Sequence, residues 1–166
     1  MTDRPLLETG LFALDFARKA TMGFLDGLEG DAFCTLFAPG GGNAAYIAGH
    51  IAYTDDMTLQ MLAGQPAVLT ADEQPLFGGG AAPSPNPEIY PPREAIIEKM
   101  TTLRASLVEY FSSLSDAELV APVEGPLAQF GDTRSKLMAS IAWHEGMHAG
   151  QLTVIRRQLD MPRVLG

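Results

Sequence analysis

Four stretches of this chain repeat their apolar residues at the spacing of an α-helix, and none alternates convincingly as a half-buried strand does. In the first, Leu7, Leu11, Leu14, Leu25 and Leu28 recur over about residues 4–28, with Asp3 as a candidate cap and Pro5 in the first turn. The second opens at Asn43, a good N-cap, carries Ile47, Ile51, Met57 and Met61, and stops at Gly64. A third follows Pro91-Pro92 and places Ile96, Met100, Leu103, Leu107, Phe111 and Leu114 on one stripe, with its charges off it. The fourth starts at Asp132 or Thr133 and continues past Arg156-Arg157, whose charges suit a helix C-terminus.

Long helices with one apolar stripe each bury those stripes against one another, so the spacing predicts an all-α four-helix bundle. Residues 65–90 separate the second and third helices and hold Pro66, Pro75, Pro83, Pro85 and Pro87 around Gly78-Gly79-Gly80. A connection that long is unusual in a compact domain. It can run the length of a bundle, so that the third helix begins at the end where the second began, and a passive crossover is its simplest role. Ser115 and Glu118 have capping-box spacing and open a short turn before the fourth helix. No internal repeat or second domain is visible, and residues 1–166 read as one domain large enough to fold without a structural metal.

Twenty acidic residues against eleven basic ones give a net charge of −9, which repels nucleic acid and anionic lipid. The first residues lack the pattern of a secretory signal, no apolar run reaches spanning length, and the expected location is cytoplasmic. The single cysteine, Cys34, has no basic neighbour in sequence and reads as a buried apolar thiol.

The chain has three histidines, and all of them fall on apolar stripes. His144 and His148 are four apart, so they project from one face of the fourth helix on successive turns, in line with Leu137, Ile141, Leu152 and Ile155. His50 lies between Ile47 and Thr54 on the stripe that continues to Met57. A lone inward histidine is ordinarily a core residue hydrogen-bonded to a neighbour. Three on core seams with none left over point to one divalent transition metal, because neutral imidazole is its commonest ligand and bundle cores draw ligands from facing helices.

The run His144-Glu145-Gly146-Met147-His148 also fits the HExxH pattern of zinc metalloproteases, whose glutamate is the general base. No His or Glu follows His148, however, and Gln151 stands where the longer motif requires glycine. A protease site is therefore poorly supported, although Glu145 remains close enough in sequence to act at the ion.

Two segments carry a family likeness: Asn43-Ala44-Ala45-Tyr46-Ile47-Ala48-Gly49-His50-Ile51-Ala52-Tyr53, and Trp143-His144-Glu145-Gly146-Met147-His148-Ala149-Gly150-Gln151-Leu152. Across nearly its whole length the chain resembles the DinB/YfiT-like superfamily of metalloenzymes. The resemblance implies an up-down-down-up four-helix bundle and a metal held by His50, His144 and His148. It also implies a transferase or isomerase using a low-molecular-weight thiol, or a metal-dependent hydrolase, and frequent homodimers.

A three-histidine site leaves positions for water or substrate. Such an ion, with Zn or Ni expected, either activates water for hydrolysis or presents a thiol to a small electrophile. The family precedent favours the thiol-dependent S-transferase. A non-catalytic bundle that binds metal or a small molecule is the reading from another class.

The candidate catalytic residues are Glu145 and Gln151. Glu145 is turned about 100 degrees from His144, toward the outer shell of the ion or toward solvent. Gln151, three residues after His148, orients a ligand or fills a polar gap in the core. A solvated face is the default for Asp55 and Asp56, and packing for Trp143, Tyr46 and Tyr53, which can also line a pocket. Gly146 and Gly150 weaken the fourth helix, which suggests close approach by another helix.

Overall fold

A computed structural model describes residues 4–38 and 41–164. The regular secondary structure of the described residues is helical, with an isolated bridge between Pro122 and Thr133 and no strand among them. Four long helices, α1 (Pro5–Leu25), α3 (Ala44–Ala63), α5 (Arg93–Ser113) and α7 (Arg134–Gln158), correspond to the four periodic stretches. Three short helices lie between them: α2 (Asp31–Cys34), α4 (Gln74–Phe77) and α6 (Asp116–Val120).

The helix ends follow the local chemistry. The Asn43 side chain accepts from the Tyr46 amide at 2.8 Å and starts α3, and Gly64, at φ 64°, ends it in the left-handed conformation that favours glycine. Ser115 and Glu118 form the expected capping box of α6. Asp3, the expected cap of α1, lies outside the described residues, as do Pro39 and Gly40 of the glycine-rich run. The first helix closes at Leu25, three residues before the predicted end, because Gly27 turns the chain at φ 73°. The C-terminal charge on α7 also acts elsewhere than expected. Arg156 is buried and donates to the carbonyls of Phe24, at 3.2 Å, and Asp26, so it satisfies the end of α1.

The core joins Leu14 and Leu25 of α1, Ile47 and Ile51 of α3, Met100 and Leu107 of α5 and Leu152 of α7. Burying each of these side chains contributes roughly 1.5–3 kcal/mol. Close contacts link the long helices in a definite register. On α1 and α7, Arg18 meets Glu145 and the Phe24 carbonyl meets Arg156. On α3 and α5, Asp55 meets Arg104 and the Leu62 carbonyl meets Tyr110. Between α1 and α5, the Leu14 carbonyl meets Arg104 and the Leu25 carbonyl meets Arg93.

The crossover of residues 65–90 is more than a tether. It holds α4 and a 3-10 turn, and Phe77 of α4 is buried against α3 at Gly49. A Cβ at Gly49 would lie 2.1 Å from the Phe77 ring, so this close approach requires glycine. At Gly146 and Gly150, in contrast, an added Cβ would meet nothing within 4 Å. The expected close helix approach is absent there, and both glycines line an open groove between α1 and α7.

Candidate metal centre

His50 is positioned by α3, and His144 and His148 by successive turns of α7. The ligand-competent atoms of all three lie within 4.8 Å of one another. The Nε2 atom of His144 is 3.3 Å from that of His50 and 3.2 Å from that of His148. Two nitrogens bound at about 2.0–2.1 Å to one tetrahedral ion stand about 3.3 Å apart, so the spacing suits such an ion.

The outer ring nitrogens decide the tautomers. His50 Nδ1 donates to the Phe77 carbonyl at 2.7 Å, and His148 Nδ1 donates to the Gln151 amide oxygen at 2.7 Å. Both partners accept only, which puts the proton on Nδ1 and leaves the Nε2 lone pair of each neutral ring facing inward. His144 can donate to only one of them. At least one short N···N contact therefore joins two acceptors, an arrangement that a shared cation satisfies.

Burial pushes all three imidazoles toward the neutral form. The pKa of His144 is lowered to about 4, by burial first and then by His148 and His50. Burial likewise lowers His50, against the hydrogen bond to Phe77, and lowers His148, against the bond to Gln151. Neutral imidazole is the form that binds a metal. Tyr46 and Tyr53 flank His50, with ring centroids 5.4 Å and 6.4 Å away, so these aromatics surround the centre.

Glu145 does not face solvent. It is 1% exposed, with Oε1 2.7 Å from Arg18 Nε and Oε2 2.8 Å from Arg104. Asp55, expected on a solvated face, is also 1% exposed and completes the cluster at 3.0 Å from Arg18 and 2.9 Å from Arg104. The neighbouring Asp56 is buried too, because its carboxylate accepts from the amides of Val68 and Leu69. Each long helix thus supplies one member of a neutral quartet: Arg18, Asp55, Arg104 and Glu145. Burial opposes the charge of Arg104, but Asp55 and Glu145 outweigh it and hold its pKa above the usual value.

Sequence reasoning missed Arg18, Arg104 and the Phe77 carbonyl. A signal existed for the two arginines: Arg18 is four residues after Leu14, and Arg104 four after Met100, so both sit on apolar stripes. The expectation that all charges of the third helix lie off its stripe fails at Arg104. Trp143, in turn, is not a packing residue: it is 70% exposed and borders a cleft that opens beside His50 and His144.

A comparison with protein families matches the chain to the DinB superfamily over residues 13–152, which include all three histidines and the quartet. A search of curated proteins finds none that matches.

Proposed function

The chain belongs to the DinB superfamily, and from that membership and the geometry of the histidines we propose a metal-dependent enzyme whose ion is held by His50, His144 and His148. The convergence of three Nε2 atoms, two with their Nδ1 protons already committed, carries the reading. Bound there, a divalent ion such as Zn or Ni supplies a Lewis acid that lowers the pKa of a thiol or of water.

Of these two chemistries the family precedent favours thiol-dependent transfer to a small electrophile. Hydrolysis assisted by a carboxylate base would need a carboxylate with a free oxygen beside the ion. Both oxygens of Glu145 are committed to arginines, so its role is to hold α7 in place rather than to exchange protons. Neither a metal-bound thiolate nor a metal-bound hydroxide needs such a base. Gln151 orients His148 through its amide oxygen.

The same reading treats residues 1–166 as one domain with its long helices running up-down-down-up. Support comes from the register: contacts advance together along α1 and α7 and along α3 and α5, and run oppositely between α1 and α5. No described helix is long and apolar enough to cross a membrane. A cytoplasmic protein accords with the buried free thiol of Cys34. The expected homodimer is tested by sedimentation equilibrium.

Untagged protein should retain a transition metal through purification and, with a small thiol, consume an electrophile such as 1-chloro-2,4-dinitrobenzene faster than His148→Ala does. Equal rates with and without the metal would remove the enzymatic reading, and metal-dependent ester cleavage without thiol would favour the hydrolase.

A further inference from the structure

A cleft of about 580 Å³ lies between α3, α7 and the turn at residues 125–129, and it reaches the imidazoles of His50 and His144. Its volume suits a small organic molecule. The wall chemistry narrows the class. Met57, Leu127 and Ile141 line the interior, while Met61, Phe130 and Trp143 are exposed apolar side chains along it.

Three charged residues border the cleft, and none is free. Asp55, Arg104 and Glu145 are all buried and paired within the quartet. Three hydroxyl protons are committed as well: Thr54 donates to the His50 carbonyl, Thr58 to the Thr54 carbonyl and Ser140 to the Phe130 carbonyl, which leaves the Tyr53 hydroxyl and the Gln129 amide, apart from the imidazoles, as the uncharged polar groups of the wall. A charged group on the body of a ligand, away from the histidine end, loses hydration without gaining a free side chain of opposite charge. The net charge of −9 disfavours an anion further.

We infer that the cleft takes an uncharged, largely apolar small molecule, with its body against Met57, Ile141 and Trp143 and its reactive end at His50 and His144. The assignment of a reactive end rests on the metal reading above; the selection for an uncharged apolar body rests on the walls alone.

The chain has one tryptophan, so Trp143 reports on the cleft by energy transfer. Two probes share an anilinonaphthalene body and differ in one charge: N-phenyl-1-naphthylamine is neutral, and 8-anilino-1-naphthalenesulfonate is anionic. On chelator-stripped protein the neutral probe should bind saturably, and the sulfonate about tenfold more weakly or worse, because its charge finds no free side chain of opposite sign. Met57→Asp should weaken the neutral probe by a similar factor. Met61→Asp, at an exposed position that does not endanger folding, should do so in the same direction.

Trp143 also borders the apolar groove between α1 and α7, so Phe16→Asp in that groove serves as the control and should leave binding unchanged. Equal affinity for the two probes, or loss with Phe16→Asp and none with Met57→Asp or Met61→Asp, would overturn the inference. The metal reading is separated by repeating the titration with His148→Ala. Neutral-probe binding retained without metal supports the cleft assignment by itself, and a metal-loaded protein that binds no neutral probe overturns it while leaving the metal site standing.

Discussion

His144 and Glu145 are neighbours in sequence, yet they enter two buried polar clusters of opposite character. Glu145 joins two guanidinium groups and a second carboxylate, and its opposite charges pair off within the cluster. His144 joins two imidazoles whose lone pairs point at its own ring, and no cation among the described side chains answers them. A saturated cluster ties helices together, because removing any member strands a buried charge. A cluster of converging acceptors is incomplete in itself and is completed by an ion. Burial and proximity are common to both, so the balance of donors and acceptors is what separates a structural cluster from a candidate site.

Breaking the quartet should give the largest effect on stability. Arg104→Met leaves Asp55 and Glu145 short of a partner and should cost about 3–5 kcal/mol in denaturant unfolding. His148→Ala should cost the metal-free fold much less, and the reverse order would erase the distinction between the clusters. Gly49→Ala comes next, since its Cβ meets the Phe77 ring. Overpacking there should cost about 1–3 kcal/mol and move the carbonyl that orients His50, so metal affinity should fall as well. Unchanged affinity in a folded Gly49→Ala protein would show that the Phe77 carbonyl does not tune the centre.

Gln151→Ala probes only the outer side of the histidine cluster. It should weaken metal binding about ten- to hundred-fold in competition with a chromophoric chelator, with little change in unfolding. The effect that needs no change of sequence to read is a pH slope in chelator-treated protein. His144 has its pKa lowered to about 4 in the fold, against about 6.5 in an unfolded chain. Between these values the unfolded state binds more protons, so stability is complete above about pH 6.5 and falls as the pH drops toward 4. Thermal melts of the wild type should therefore show a steeper loss over this window than those of His144→Ala, and parallel curves would contradict the burial of that imidazole.

The histidines were legible in the sequence because helical periodicity alone puts His144 and His148 on one seam and His50 on another. Gln151 was legible for the same reason, as an i+3 neighbour of His148. The quartet was not, since it joins residues up to 127 positions apart on four helices, and a charged residue in a stripe does not name its partner. Asp55 shows this most clearly: its sequence neighbours suggest a solvated face, and only the arginines of α1 and α5 explain its burial. The Phe77 carbonyl was beyond reach because backbone groups carry no sequence signature and the surrounding Pro- and Gly-rich run has no periodicity. Gly146 and Gly150 misled in the other direction, since glycine in a helix lacks a side chain whether or not anything fills the space.

The central claim, that three histidines from two helices hold one ion, is tested most directly by titrating chelator-stripped, untagged protein with Zn(II) and Ni(II) alongside His50→Ala. The account predicts about one ion per chain for the wild type and, for His50→Ala, a loss of affinity well beyond the ten- to hundred-fold effect of an outer-shell change. A wild type that binds neither ion, or a His50→Ala protein with unaltered affinity, would contradict it.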